Sequence, residues 1–224
     1  MQQAAYIGEL PQAVNEHGFA VIPNVLSDSE IDSLIPVLGE AAKQNGIERR
    51  GEIHAMRNLL ETVPEIAELA RSATLRALVE PVLGSGCFAV RGILFDKTPG
   101  ANWKVTWHQD RTIAVKDPRP VPGYGPWSEK AGIHSVQPPA SVLEAMVTIR
   151  INLDECGPDN GPVRVLPGSH RHGRLGADEI TMWRARVSDV ATVGPRGAAL
   201  VMRPLLLHAS SPAVAPQHRR GGAH

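Results

Sequence analysis

Residues 145–154, AMVTIRINLD, decide the fold class because apolar and polar side chains alternate along them. Successive side chains of an extended strand point to opposite faces. The apolar face would carry Val147, Ile149, Ile151 and Leu153, and the polar face Thr148, Arg150, Asn152 and Asp154. This stretch therefore predicts a strand with one face on the core and the other towards solvent or a wet cavity.

Comparable short runs fill the second half of the chain, separated by Gly and Pro. They span 88–96, 103–115, 142–154, 162–166, 187–193 and 197–208. No helical stretch separates them, so we expect a sandwich or small barrel rather than a parallel βαβ sheet. The Pro- and Gly-rich segment 116–140 interrupts the series, and we expect a lid or binding loop there, not a strand.

The first third of the chain, residues 1–85, is predicted to be mainly helical. Ser27 and Glu30 form a capping box before an apolar pattern of helical period that ends at Gly46. A second helix should begin near Thr62 and stop before Pro81, since proline breaks a helix interior.

Composition excludes several function classes. The 224 residues are 42% apolar, which suits one globular domain over 1–224, and 23 basic residues balance 23 acidic ones. This balance argues against nucleic-acid partners, and no apolar run reaches the roughly 18 residues of a membrane span. The two cysteines, Cys87 and Cys156, are isolated, which fits a reducing compartment. We therefore expect a soluble cytoplasmic protein with a small-molecule substrate; its oligomeric state is not encoded in any pattern we recognise.

The run WKVTWHQDRTIAV, residues 103–115, carries a candidate metal pair. In a strand, His108 and Asp110 would point to the same side. An imidazole nitrogen and a carboxylate oxygen suit Fe(II), Mn or Zn, although His and Asp in a strand can also form a simple hydrogen-bonded pair. A third ligand would favour the metal, and His208, which closes the apolar run 197–208, is the best candidate.

Arg219 follows eleven residues after His208, and an arginine fork can hold a carboxylate through two hydrogen bonds. Other polar residues stay ambiguous. Arg150 could pair with a substrate acid or with Asp154, and His170 and His172 read as a loop pair on a turn after Pro167 and Gly168.

Several motifs, taken in order, make the chain resemble one enzyme family. They are His-x-Asp at 108–110, NGPVRVLPGSH at 160–170, LLLHASSP at 205–212 and the arginine that follows. Together they resemble the phytanoyl-CoA dioxygenase family of Fe(II)/2-oxoglutarate oxygenases, over roughly residues 15–220. The resemblance implies a mainly β fold with N-terminal helices and a double-stranded β-helix core of the jelly-roll or cupin type, over 86–220.

The resemblance also implies roles for single residues. His108, Asp110 and His208 would be the iron ligands. Arg219 would bind the distal carboxylate of 2-oxoglutarate, assisted by Ser210 and by Lys97 in LFDKTPG. Trp127 would be the aromatic residue that the family places beside the site. The alternatives without a functional role are a solvent-exposed lysine for Lys97 and a loop-anchoring aromatic for Trp127.

The implied reaction needs Fe(II), 2-oxoglutarate and O₂. Three protein ligands on one face of iron leave three positions for 2-oxoglutarate and O₂, and oxidative decarboxylation to succinate accompanies hydroxylation of a small organic metabolite. Related halogenases lack the carboxylate ligand, so Asp110 favours hydroxylation.

One departure from the family concerns the end of the chain. Only five residues follow Arg219, so the last strand looks truncated over 221–224. If Arg219 were poorly anchored, the protein could be a cupin-type binding protein or an impaired oxygenase. A Zn or Mn hydrolase or isomerase is a third interpretation of the same three residues.

Overall fold

A computed structural model describes residues 9–49, 52–130, 132–214 and 218–223 of the chain. The helices are α1 (Leu10–Glu16), α2 (Asp28–Asn45), α3 (Leu59–Thr62), α4 (Pro64–Arg71), α5 (Ala73–Leu83), α6 (Ala140–Glu144) and α7 (Ala177–Arg186). The strands are β1 (Phe19–Ile22), β2 (Gly46–Arg49), β3 (Glu52–Met56), β4 (Ile93–Lys97), β5 (Val105–His108), β6 (Ile113–Val115), β7 (Trp127–Lys130), β8 (Ile133–Val136), β9 (Thr148–Asn152), β10 (Val163–Val165), β11 (Val190–Ala191), β12 (Ala199–Met202), β13 (His208–Ser210) and β14 (Arg219–Ala223).

The strands form two main antiparallel sheets and a smaller one. The large sheet has the order β1-β12-β9-β14-β4-β3-β2, and the second sheet has the order β11-β10-β13-β5. Val163 and Val165 of the second sheet pack against Leu200 and Met202 of the large one, so the two sheets face each other. This mainly β architecture with a jelly-roll core confirms the predicted fold class.

The N-terminal helices cover the outer face of the large sheet. The alternation predicted for β9 is observed: Ile149 and Ile151 are buried against the helices, in one cluster with Ile31 and Leu38 of α2. Each fully buried side chain of this size contributes roughly 1.5–3 kcal/mol of transfer free energy. The opposite face of β9 is thereby turned towards the space between the two sheets.

The α2 prediction is confirmed, including its capping box, in which Ser27 accepts from Glu30 N and Glu30 accepts from Ser27 N. The prediction for the next helix is partly wrong. Ser72 separates α4 from α5 and caps α5 through Leu75 N, and Pro81 lies inside α5 rather than beyond it. A proline in the last turn removes only one helical hydrogen bond, so α5 continues to Leu83.

Other predicted boundaries also need correction. Segment 116–140 contains the hairpin β7–β8, which pairs with β6 in the third sheet. The first part of the chain carries three strands besides its helices. Strand β1 pairs with β12, from Phe19 opposite Met202 to Ile22 opposite Ala199, and pairing across such a sequence distance leaves no local signal in the sequence.

Strand β14 lies in the interior of the large sheet, between β4 and β9. Its register sets Arg219 opposite Lys97 and Gly221 opposite Asn152. Asp96 supports its start by accepting from Arg219 N at 3.2 Å and pairing with His218 at 2.7 Å. The segment that the sequence suggested to be a truncated edge is therefore hydrogen-bonded on both sides up to Ala223.

Candidate metal and cosubstrate site

His108, Asp110 and His208 come together where β5 and β13 pair. His108 and His208 are opposite each other in the register of these strands, with ring centroids 4.2 Å apart. The strand predicted over 197–208 is two strands in the structure, β12 and β13. His208 is therefore the first residue of β13 rather than the last residue of a long strand. Asp110 lies just beyond β5, where its N–H donates to Pro204 O at 2.9 Å.

The three side chains converge on one point. His108 Nε2 lies 4.0 Å from Asp110 Oδ1, and His208 Nε2 lies 3.9 Å from Asp110 Oδ2. One candidate ligand atom from each residue falls within 4.8 Å of the other two. Metal bonds to nitrogen and oxygen are about 2.0–2.2 Å long, so small side-chain rotations bring all three atoms onto one ion.

Hydrogen bonds prepare both imidazoles for a metal. Nδ1 of His108 lies 2.8 Å from Thr106 O, and Nδ1 of His208 lies 2.9 Å from Leu206 O. When Nδ1–H donates to a carbonyl oxygen, Nε2 keeps its lone pair. Burial lowers the pKa of His208, although Asp110 acts in the opposite direction. A neutral imidazole with a free Nε2 is the form that binds Fe(II).

Behind the triad lies a group of cations that we call the cation cluster: the buried Lys97 and Arg219 and the partly buried Arg150. Lys97 is fully buried, and its Nζ donates to Ser210 Oγ at 2.5 Å and to Ser211 O at 2.6 Å. Burial, followed by the charges of Arg219 and Arg150, lowers the pKa of Lys97 to about 7. Ser210 stands two residues after His208 on β13, so this contact links the cluster to the triad.

Arg219 is 4% exposed, and its Nε has no hydrogen-bond partner among the described residues. Burial lowers its pKa, while the nearby Cys156 sulfur and Asp96 act in the opposite direction. An unpaired buried guanidinium nitrogen is costly, and an incoming carboxylate would satisfy it.

Comparisons with known proteins identify the family of this chain. A profile of the family described as "Phytanoyl-CoA dioxygenase (PhyH)" matches residues 14–221. The chain belongs to the phytanoyl-CoA dioxygenase family. As a member of it, the protein is a non-haem iron, 2-oxoglutarate-dependent oxygenase, with Fe(II), 2-oxoglutarate and O₂ as the cofactors of that class.

The chain is similar to one curated relative in sequence and to solved structures in fold. L-proline trans-4-hydroxylase from Streptomyces griseoviridis is 25% identical over 235 residues, which cover 90% of this chain and 79% of that protein. EctD from S. alaskensis, solved in its apoform, has a TM-score of 0.75 at 18% identity and covers 100% of this chain and 78% of its own. SnoK, a carbocyclase of nogalamycin biosynthesis, has a TM-score of 0.74 at 15% identity, and the match covers 99% of this chain and 85% of the SnoK chain.

The residues that sequence reasoning selected do not all meet. The structure joins His108, Asp110 and His208, and separately joins Lys97 to Ser210. Trp127 begins β7 in the small third sheet, opposite Val136 and away from the pairing of β5 with β13, and it is 38% exposed. Among the described helices, none has both the length and the apolar character needed to cross a membrane.

Sequence reasoning missed two residues of this region. The sequence left two partners open for Arg150, a substrate acid and Asp154. In the structure Asp154 pairs with Arg220 instead, at 2.6 Å to Nη2 and 3.0 Å to Nε. Gln109 was passed over between the two ligands, yet it is 4% exposed and fully hydrogen-bonded. The available signal for Arg150 was its place on the polar face of β9.

Proposed function

We propose that this oxygenase hydroxylates a C–H bond of a small organic metabolite and converts 2-oxoglutarate to succinate and CO₂. The observation that carries the proposal is the pairing of two features a short distance apart: a His-Asp-His triad with free Nε2 atoms, and a cation cluster linked to it through Ser210. The first suits a divalent iron and the second suits a carboxylate.

In this proposal His108, Asp110 and His208 hold Fe(II), and Arg219, Lys97 and Ser210 hold the distal carboxylate of 2-oxoglutarate. When bound, iron and 2-oxoglutarate together supply the activation of O₂ and the transfer of one oxygen atom to the substrate. The protein orients both groups, and the burial of Lys97 and Arg219 keeps water from the carboxylate. The β7–β8 hairpin, which follows His108 and Asp110 in the chain, is our candidate for binding the substrate, and Trp127 is our candidate for the aromatic residue beside the site.

Asp110 supports hydroxylation over halogenation, because a carboxylate ligand occupies the position that chloride would take. The curated relative is named as a hydroxylase. SnoK, by contrast, is described as a carbocyclase and SnoN as an epimerase, so the fold also serves other oxidative outcomes. The product must therefore be identified chemically.

We place this activity on a single domain in a reducing compartment such as the cytoplasm, since both cysteines are free. The balanced charge supports neither nucleic acid nor another polyanion as a partner. The alternative, a cupin-type binding protein without turnover, depended on a poorly anchored Arg219. The pairing of β14 on both sides supports the enzyme instead.

The test is to incubate purified protein with Fe(II), ascorbate, 2-oxoglutarate and fractionated metabolite extracts and to measure succinate. We expect a subset of fractions to stimulate succinate release, and ¹⁸O₂ to label a product that is heavier by one oxygen atom. If the Fe(II)-loaded protein neither binds 2-oxoglutarate nor converts it with any fraction, the oxygenase proposal fails.

A further inference from the structure

Arg150 extends from the middle of β9 across the inner face of β14. A methyl group placed on Gly221 would lie 2.8 Å from Nη2 and 3.0 Å from Nε of Arg150. Such distances are shorter than van der Waals contact, so the guanidinium occupies the space that a β-carbon at position 221 would take, and a side chain there would displace it. Gly221 and Arg219 are two residues apart on β14 and share a face. The Arg150 guanidinium therefore lies beside Arg219.

The three cations of the cluster form no ion pair with a carboxylate among the described residues, although Asp96 lies near enough to Arg219 to affect its pKa. Lys97 and Arg219 are direct register partners on β4 and β14, and like charges directly opposite in a sheet are destabilising. Among the described residues, no ion pair within 4.0 Å joins Lys97, Arg150 or Arg219 to a carboxylate. Asp154, the acid nearest to Arg150 along the chain, is already bound by Arg220.

Neighbouring positive charges act on Lys97 and Arg150 in addition to burial: Arg219 and Arg150 lower the pKa of Lys97, and Arg219 lowers that of Arg150. Burial and Arg219 lower the pKa of Arg150 to about 9, at which a guanidinium still carries its charge at neutral pH. Burying a charge without a partner is destabilising, and groups perturbed in this way cluster at functional sites, where a ligand can supply the opposite charge.

We propose that Arg150 is a second arginine for the distal carboxylate of 2-oxoglutarate, which is then held between Arg150 and Arg219 with Lys97 and Ser210 beside it. The proposal rests on the proposed function. A carboxylate has about four lone-pair sites, enough to accept from two guanidinium groups and an ammonium. Gly221 contributes to this binding site because its missing side chain leaves space for the Arg150 guanidinium.

The consequence is strong selection of 2-oxo acids that end in a carboxylate. An analogue of equal length with a terminal methyl group, 2-oxopentanoate, would leave the three cations unpaired. Arg150 should therefore contribute to binding of 2-oxoglutarate and hardly at all to binding of 2-oxopentanoate.

The experiment compares binding of these two acids to Fe(II)-loaded protein without O₂, by titration calorimetry. The variants are Arg150→Gln, Arg150→Lys and Gly221→Ala, and circular dichroism confirms folding. Arg164→Gln is the matched control for the arginine, since Arg164 also lies on a strand but pairs with Asp189. Gly39→Ala is the control for the glycine, as its added methyl group meets nothing within 4 Å.

We expect Arg150→Gln to weaken 2-oxoglutarate binding about 10- to 100-fold, the range of a lost charged hydrogen bond. Binding of 2-oxopentanoate should change less than about 3-fold, and Arg150→Lys should restore part of the affinity. Gly221→Ala should weaken 2-oxoglutarate binding in the same direction, while both controls should bind it like the wild type.

The outcomes separate the two proposals. If the wild type binds no 2-oxoglutarate, the proposed function falls. If the wild type binds it and Arg150→Gln and Gly221→Ala bind it equally well, only the assignment of Arg150 is overturned. An Arg150→Gln variant with normal 2-oxoglutarate affinity and a raised substrate requirement in turnover would overturn it too, in favour of a substrate acid.

Discussion

In the proposed site the His-Asp-His triad and the cation cluster are neighbouring halves, yet the two differ in how far they are exposed to solvent. The side chains of His108 and Asp110 are 40% and 35% exposed, and water can solvate them when no metal is bound. Lys97 and Arg219 are 0% and 4% exposed. The triad therefore costs little stability without a metal ion. The cluster, in contrast, has no carboxylate to pair with its charge until 2-oxoglutarate binds.

The difference also concerns how each half is held in place. Backbone carbonyls two residues away orient both imidazoles, so the triad is arranged by local contacts within β5 and β13. The cluster is assembled from β4, β9 and β14, three neighbouring strands that are distant in sequence. Changes in the triad should thus affect turnover more than stability, and changes in the cluster should affect cosubstrate affinity and stability together.

The largest effect should follow from Asp110→Ala, which removes the carboxylate ligand. We expect succinate formation to fall by at least about 1,000-fold, because two imidazoles alone hold iron weakly. The free energy of unfolding should change little, since Asp110 is partly exposed. Asp117→Ala, at an exposed loop aspartate, is the control, and substantial residual turnover in Asp110→Ala would refute the ligand assignment.

Arg219→Ala should come next, through the cluster. We expect the 2-oxoglutarate Kd to rise about 100-fold, which corresponds to the roughly 3 kcal/mol of a buried charged hydrogen bond. Turnover at saturating 2-oxoglutarate should fall much less. The matched control is Arg220→Ala, because Arg220 faces Asp154 instead. Equal Kd values for Arg219→Ala and the wild type would show that other residues bind the distal carboxylate of 2-oxoglutarate.

A third effect concerns stability and pH. Burial, then Arg219 and Arg150, lower the pKa of Lys97 from 10.5 to about 7, with Cys156 acting in the opposite direction. Between pH 7 and pH 10.5 the unfolded chain binds more protons than the folded protein, so the free energy of unfolding rises with pH. Below the folded pKa, Lys97 is charged in both states, and the destabilisation caused by burying that charge is at its full value.

Lys97→Met should therefore stabilise the cosubstrate-free protein most at low pH. Its advantage over the wild type should shrink by about 2 kcal/mol between about pH 7 and pH 9, measured by urea unfolding at each pH. Lys104→Met, at an exposed lysine, is the control. An advantage that does not depend on pH would mean that Lys97 keeps its ordinary pKa in the folded protein and stays charged up to about pH 9.

Much of this arrangement could be predicted from the sequence, where the signal is local. The alternation of residues 145–154 predicted β9 and its buried face, and the capping box of Ser27 and Glu30 predicted the start of α2. His108, Asp110 and His208 were selected as a set, and the structure brings them together, although Asp110 lies outside the strand that was meant to position it. The short spacing of His108 and Asp110 keeps these two side chains close even with the strand boundary misplaced, whereas His208 reaches them through the pairing of β13 with β5.

What could not be predicted depends on strand pairing. Nothing near Arg150 in the sequence shows that β14 lies beside β9, or that Gly221 leaves room for a guanidinium. The same holds for Arg219, whose anchoring by Asp96 and by pairing with Lys97 joins residues more than a hundred positions apart. The hairpin β7–β8 was missed because Pro and Gly dominate segment 116–140, while its pairing partner β6 lies outside that segment.

The smallest effect should come from Gln109, which lies between two ligands but points away from both. Its Nε2 donates to Gly173 O and Leu205 O, each at 2.8 Å, and its Oε1 accepts from Leu175 N at 2.9 Å. Gln109→Ala would leave these backbone groups unpaired and let the loop around His108 relax. We expect Fe(II) affinity to fall about 10-fold, as for other changes behind metal ligands, while the selectivity for 2-oxoglutarate over 2-oxopentanoate stays unchanged. Gln12→Ala, at an exposed glutamine, is the control; a loss of that selectivity in Gln109→Ala would show that the triad and the cluster are not independent.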